Sequence, residues 1–199
     1  MEKPIDAFWL KRLEDLKEAL EANHFEVHIT QTAASARELF LEEILPGLEV
    51  KTVSWGGSMT FMATGLYEIM RDDDRYEVLD AFKRDVPREE LIEIRRQALL
   101  ADLFLTGTNA VTEDGQLVNL ENLDMIGNRV CGITFGPRHV VIFVGRNKIV
   151  SDLDEAMVRV KNYVAPVNAM RLDMKTPCVN TGYCEECNSP QRICNTLGF

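Results

Sequence analysis

Apolar residues recur every three or four positions through residues 5–22, and this spacing predicts an amphipathic helix. The same spacing returns in four later segments that are therefore predicted to be helical: AASARELFLEEIL, MTFMATGLYEIMRD, PREELIEIRRQALLA and DLDEAMVRVKNYVAP. Their ends carry helix signals as well. Pro46-Gly47 stops the first of the four, Pro87 opens the third, and Ser151 is expected to cap the fourth.

Short apolar runs between the helical segments predict β-strands. These runs are FEVHIT, VKTVSW, YEVLDA, DLFLTG, VCGITF and VVIFVG. The segment AVTEDGQLVNL is typical of a β-hairpin, because two short β runs flank Asp114-Gly115. Since strands and helices alternate, the sequence predicts a Rossmann-like α/β fold, with a mostly parallel sheet, helices on both faces and an added hairpin. Residues 1–172 are expected to form this domain, and residues 173–199 a cysteine-rich tail.

The composition is that of one domain with a sizeable core and a small appendage, because 46% of the 199 residues are hydrophobic. A net charge of −10 repels phosphate backbones, which disfavours a nucleic acid as partner. Charged residues interrupt the apolar positions at the N-terminus, and no apolar run is long enough to span a membrane. We therefore expect a cytoplasmic protein with no signal peptide and no membrane partner. The sequence is also compatible with a homo-oligomer.

Four of the five cysteines fall within the last 22 residues, at the spacing C-x5-C-x2-C-x6-C: Cys178, Cys184, Cys187 and Cys194. The residues between them are turn formers, so the tail has little apolar surface with which to order itself. A metal held by four thiolates would supply that order. In a reducing compartment such a cluster favours metal binding over disulfides.

Two kinds of metal site fit this spacing. A structural zinc site usually takes two separated cysteine pairs, whereas this tail has one C-x-x-C and gathers all four cysteines into one loop. The arrangement favours an iron–sulfur cluster, although it matches neither common ferredoxin pattern, and zinc and disulfides stay open as alternatives. The fifth cysteine, Cys131, lies in the apolar run VCGITF and is expected to be a small buried core residue.

A glycine loop follows the predicted strand VKTVSW and precedes a predicted helix. Backbone N–H groups at Gly56 and Gly57, with the hydroxyl of Ser58, are placed to hold an anion at the carboxyl end of that strand. The loop is neither a P-loop nor a dinucleotide-binding fingerprint. The alternative interpretation is a tight turn in which Ser58 only caps the helix.

Further polar residues follow the strand DLFLTG and precede the run VCGITF. Asn109 and the adjacent carboxylates Glu113 and Asp114 are candidates for ligand binding and acid–base catalysis, although Asp114 also suits a hairpin turn for conformational reasons alone. Asn128 and Arg129 come just before a predicted strand, where Arg129 would supply positive charge to an anionic ligand.

The motifs WGGSMT, LFLTGTNAVTEDGQLVNLEN, GNRV and FGPRHVVIFVGRNKIV together resemble the LUD domain, named for the lactate utilization proteins. The resemblance runs from the first helix to residue 172, and the tail is similar to a cysteine-rich extension found in some members. It implies a fold like that of ribose-5-phosphate isomerase and the CoA transferases. It also implies a set of site residues: Gly56, Gly57, Ser58, Asn109, Glu113, Asn128 and Arg129.

The resemblance leads to three functional hypotheses. The first is a protein of lactate or related organic-acid utilization, with a small anionic metabolite as ligand, a metal site in its tail and redox proteins as partners. This chain lacks the helical ferredoxin-like region of the long lactate-utilization form, so its place in lactate oxidation rests on analogy. The second is an enzyme, either a sugar-phosphate isomerase that uses Glu113 or Asp114 as its base or a CoA transferase that uses a glutamate nucleophile. The third is a non-catalytic interaction module stabilised by zinc.

Overall fold

The computed structural model describes residues 2–121 and 128–198. Within them, the α-helices in chain order are α1 (Glu2–Ala22), α2 (Ala33–Leu39), α3 (Met59–Ala63), α4 (Leu66–Arg71), α5 (Arg88–Gln97), α6 (Arg129–Thr134), α7 (Leu153–Arg159), α8 (Ala165–Arg171) and α9 (Pro177–Thr181). The strands are β1 (Thr52–Trp55), β2 (Glu77–Leu79), β3 (Leu103–Gly107), β4 (Ala110–Thr112), β5 (Leu117–Glu121), β6 (His139–Phe143), β7 (Ile149–Val150) and β8 (Thr196–Gly198). A π-helical turn, Val160–Val164, joins α7 to α8.

The contacts divide the chain into two units. The parallel-sheet unit comprises Thr30–Gly107 and Ile126–Val144. The hairpin unit comprises Met1–Ile29, Thr108–Met125 and Gly145–Phe199.

The parallel-sheet unit is built on a four-stranded sheet of order β2-β1-β3-β6, in which every pairing is parallel. Side chains alternate between the two faces of a strand, so Leu103 and Leu105 of β3 point to one face and Phe104 to the other. The first face packs into a core with Phe40, which follows α2, and with Phe61 of α3 and the buried side chains of α4. The predicted α/β fold with a mostly parallel sheet flanked by helices is confirmed.

Helix α6 covers the opposite face of β3. A Cβ atom added at Gly132 would lie 2.8 Å from the ring of Phe104, so glycine allows the helix to approach the strand closely. The prediction of a strand over VCGITF is therefore wrong. A short apolar run does not distinguish a buried strand from a buried helix by its periodicity, and packing against Phe104 decides the outcome. Cys131 is exposed on this helix rather than buried, which corrects a second prediction.

The hairpin unit contains the predicted β-hairpin. Strands β4 and β5 pair antiparallel around Gly115, whose φ of 85° favours glycine. Two further strands extend the hairpin into a sheet of order β7-β4-β5-β8, with β7 parallel to β4 and β8 antiparallel to β5. Strands of two or three residues carry too little pattern to be predicted, and their pairing depends on partners distant in sequence.

Two smaller predictions are wrong. The run FEVHIT forms no strand in the described structure, because its residues are exposed or half-buried and no neighbouring strand pairs with it. The cap of α7 is Asp152, whose carboxylate accepts a hydrogen bond from the Glu155 N–H at 2.8 Å, whereas Ser151 donates its own N–H to the Glu155 carboxylate. A domain boundary at residue 172 stays a prediction, and the contacts assign Gly145–Phe199 to a single unit.

Candidate functional site

In the parallel-sheet unit, the glycine loop lies between the end of β1 and the start of α3. A Cβ atom added at Gly56 would lie 2.8 Å from the hydroxyl of Thr106, so this glycine is required for packing. A Cβ atom added at Gly57 would meet no described atom within 4 Å, so the backbone there faces open space. The hydroxyl of Ser58 accepts a hydrogen bond from the Phe61 N–H at 3.2 Å, which makes Ser58 the cap of α3.

Arg129 reaches this loop from the first residue of α6. Its side chain is 8% exposed, and Nη1 donates a hydrogen bond to the Gly57 carbonyl at 3.0 Å. Gly107 also lies against the loop, because a Cβ atom there would clash with Ser58 Oγ. The structure thus brings Gly56, Gly57, Ser58, Gly107 and Arg129 together at the carboxyl ends of two parallel strands.

Asn128 precedes Arg129 and is 4% exposed. Its side chain makes no capping hydrogen bond to α6, and within residues 2–121 and 128–198 its Nδ2 has no hydrogen-bond partner. Burying an unpaired amide costs on the order of 1–3 kcal/mol, so this donor is a candidate for a ligand contact. Gly127 and Asn122, which complete the GNRV and NLEN motifs, lie outside the described residues.

Asn109 lies in the hairpin unit just before β4, where it contacts β5 and the last residue of α7. Its Oδ1 accepts from the Leu120 N–H at 3.0 Å, and its own N–H donates to Asn119 Oδ1 at 3.1 Å. Its carbonyl accepts from Arg159 Nε at 3.1 Å. These contacts make Asn109 part of the framework that holds β4 against β5, and its role in ligand binding stays a prediction.

Glu113 lies in the hairpin turn and forms an ion pair with Arg12 of α1. The neighbouring carboxylate, Asp114, accepts hydrogen bonds from the Thr112 hydroxyl and from Gln116 Nε2. Both carboxylates therefore have structural partners in the turn. Catalysis by Glu113 stays a prediction, and in that role Glu113 would have to exchange Arg12 for a substrate.

The four tail cysteines line one cavity of about 30 Å³ in the hairpin unit. Three helix residues, Ala165, Pro166 and Ala169, form part of its wall, so α8 brings an apolar surface to the polar tail. Helix α9 carries Cys178 and ends at Gly182, whose φ is 76°. The tail thus contributes all four of its cysteines to the lining of one cavity.

Two cations also line this cavity. Arg192 Nη1 donates to the Cys187 carbonyl at 2.9 Å, and Nη2 donates to the Cys194 carbonyl at 3.1 Å. Lys161 Nζ lies 2.6 Å from the carboxylate of Glu186. That carboxylate, and secondarily the thiols of Cys184 and Cys194, raise the pKa of Lys161, while Lys161 lowers the pKa of Glu186.

Four cysteine thiols are suitable ligands for a metal, but their sulfurs are not grouped around a single point. In residues 2–121 and 128–198, no three His, Cys, Asp or Glu side chains are grouped closely enough to hold an ion. The cavity has space for about two water molecules, which is enough for a single ion. A larger cavity of about 350 Å³ beside it shares Cys184 and Cys194.

The sequence predictions missed Arg192 and Lys161 as residues of this cavity. Arg192 is two positions before Cys194, so the sequence shows a cation among the cysteines. The spacing of the cysteines alone does not indicate that this cation lines their cavity. Lys161 lies on the π-helical turn after α7, outside the cysteine-rich tail, so no local pattern predicts that it lines the cavity.

In the described part of the chain, no helix combines the length and the apolar character needed to cross a membrane.

Comparison with known proteins gives one match. No curated protein and no solved structure matches the chain. The family model of the LUD domain matches residues 13–197, which include the parallel sheet, the hairpin and all four tail cysteines. The chain therefore belongs to the LUD domain family.

Proposed function

We propose that the protein acts in the utilization of lactate or a related organic acid, and that its tail holds an iron–sulfur cluster or a zinc ion through Cys178, Cys184, Cys187 and Cys194. The observation that carries this proposal is that all four cysteines line one cavity. They come from separate parts of the tail, from α9 to the segment just before β8. Four thiols that line one cavity supply the donors that a ligand shell requires.

The charges around the cavity support the same proposal. Four thiolates around a centre of charge +2 leave a net charge of −2. Lys161 and Arg192 line the cavity and oppose that charge, and Glu186 partly offsets Lys161. An iron–sulfur cluster at this position would supply one-electron transfer to redox protein partners, whereas zinc would supply only structure.

The organic acid would bind in the parallel-sheet unit. Arg129 places a cation beside Gly57, the backbone at Gly57 faces open space, and Asn128 has a buried amide that no described residue satisfies. A carboxylate or phosphate suits these groups, since each accepts hydrogen bonds from N–H donors and is attracted by the guanidinium. Family membership supports a lactate-type acid as the first ligand to be tested.

The test is metal, iron and sulfide analysis of the full chain purified without oxygen. An iron–sulfur centre gives a brown protein with equal amounts of iron and sulfide, and zinc gives a colourless protein with one ion per chain. Each single Cys→Ser replacement in the tail should release the metal. Cys131→Ser is the matched control, because Cys131 is an exposed thiol on α6 and should leave the metal content unchanged.

The metal content of the wild type and of the variants tests the proposal. Metal that is lost from the four tail variants and kept by Cys131→Ser supports the proposal. Protein that carries no metal under anaerobic conditions, with or without reconstitution, contradicts it.

A further inference from the structure

We infer that Arg192 is a positioning residue of the metal centre, an inference that rests on the function proposed above. Its two terminal nitrogens contact two different parts of the cysteine loop. Nη1 donates to the Cys187 carbonyl at 2.9 Å and Nη2 to the Cys194 carbonyl at 3.1 Å. Nη2 is also 3.8 Å from the sulfur of Cys194.

The first part of the role is geometric. Cys187 and Cys194 stand at the two ends of a loop of six intervening residues, and their sulfurs must meet one centre. The guanidinium is planar and rigid, so its two donors hold both carbonyls in a set orientation. Bridging the carbonyls therefore limits how far the two cysteines can separate. Groups that orient metal ligands in this way commonly contribute about 10–100-fold in metal affinity.

The second part of the role is electrostatic. Arg192 brings its charge within hydrogen-bonding reach of the Cys194 sulfur, where negative charge gathers when the thiolate binds a metal. Lys161 lines the same cavity, but it forms an ion pair with Glu186 that offsets its charge. We therefore expect Arg192 to matter more than Lys161.

Other contacts hold the loop independently of Arg192. The Ser189 hydroxyl donates to the Lys175 carbonyl at 2.8 Å, and the Lys175 N–H donates to Gln191 Oε1 at 2.8 Å. Ile193, which is 2% exposed, anchors the loop in the core of the unit. Replacing Arg192 should thus loosen the ligand geometry without unfolding the tail.

The experiment measures cobalt(II) binding to the metal-free full chain under anaerobic conditions. The thiolate-to-cobalt charge-transfer absorbance reports coordination, and competition with a chelator gives the affinity. Arg192→Gln should weaken binding roughly 10–100-fold, and Arg192→Lys, which keeps the charge but not the planar fork, should fall between it and the wild type. Arg171→Gln is the control, because Arg171 is exposed at the end of α8 and lines neither cavity, and it should remain within about threefold of the wild type.

Each outcome has one meaning. Arg192→Gln binding cobalt as tightly as the wild type overturns the inference and leaves the proposed function standing. Equal loss in Arg192→Lys and Arg192→Gln supports the geometric part of the role and overturns the electrostatic part, because the charge that lysine keeps would then contribute nothing. A wild-type chain that binds neither cobalt, zinc nor iron contradicts the proposed function, and the inference falls with it. Circular dichroism of the metal-free variants should match that of the wild type, which separates a change in affinity from a loss of folding.

Discussion

The guanidinium of Arg129 donates a hydrogen bond to the backbone carbonyl of Gly57 at 3.0 Å, across 72 positions of sequence. The contact holds the first residue of α6 against the loop that follows β1. It places a buried cation at the carboxyl ends of the parallel strands, where ligands of open α/β sheets bind. In a chain with a net charge of −10, such a local cation is what an anionic ligand needs.

Arg129→Ala should therefore weaken the binding of lactate or inorganic phosphate markedly. It should also lower the free energy of unfolding by about 1–3 kcal/mol, because the hydrogen bond from the charged guanidinium to the Gly57 carbonyl is lost. Calorimetric titration with each anion and urea unfolding measure the two effects. Arg96→Ala is the control, since the Arg96 side chain is 76% exposed on α5 and its loss should change neither quantity appreciably. Binding that is unchanged in Arg129→Ala would remove this loop from the candidate site.

Gly115→Ala should destabilise the hairpin unit by roughly 1–3 kcal/mol. Gly115 has a φ of 85°, and a Cβ atom there would lie 2.9 Å from Asn23 Nδ2 and 3.1 Å from the backbone of Ala19. Thermal unfolding measures the loss. Gly47→Ala provides the comparison, because no described atom lies within 4 Å of the added Cβ, and this change should stay within about 0.5 kcal/mol of the wild type. Equal stability of the two variants would show that the turn tolerates a side chain.

Asp102 should make the stability of the parallel-sheet unit sensitive to acid. Hydrogen bonds from the backbone N–H groups of Lys51 and Thr52, then the Thr52 hydroxyl and the charge of Arg138, hold the pKa of Asp102 below its ordinary value. Asp102→Ala should lower the free energy of unfolding by about 1–3 kcal/mol at neutral pH.

The pH dependence of that difference follows from the direction of the shift. A lowered pKa in the folded state stabilises the fold at pH values above the unfolded-state pKa of about 3.9, and this contribution disappears as the pH falls through the folded-state value. Urea unfolding at several pH values should show the gap between wild type and Asp102→Ala closing only below about pH 4. Asp74→Ala, in an exposed loop, should show no such gap. A gap that persists unchanged at low pH would contradict the assignment.

A chain ending at Leu172 should still fold cooperatively, because the parallel sheet lies entirely within residues 30–144. It should be less stable than the full chain, since it loses β8, which pairs with β5 from Asn119 to Glu121, and the buried side chain of Ile193. Circular dichroism during heating measures both points. Loss of the helical signal or aggregation in the shortened chain would show that residues 173–199 are essential to the fold.

Local sequence patterns predicted those elements that are long or that carry strong turn signals. Helix α1 follows from apolar spacing over more than five turns, and the β4–β5 hairpin follows from Asp114-Gly115, because only glycine readily adopts the φ that the turn requires. The strands β1 and β3 follow from apolar runs that end in glycine. The same reasoning failed for VCGITF, since a short, mostly apolar run fits a buried strand and a buried helix equally well.

For the candidate sites, the sequence determined which chemical groups are present and in what order. Four closely spaced cysteines, a glycine loop after a strand, and the Asn128-Arg129 pair are properties of the chain itself. Which groups meet depends on packing between distant segments. Only the tertiary structure brings Arg129 to Gly57, Arg12 to Glu113, and Lys161 to the cysteine cavity. Contacts of this kind require loops to close over tens of residues, and burial of apolar surface elsewhere in the fold stabilises them. A local sequence pattern therefore does not predict them.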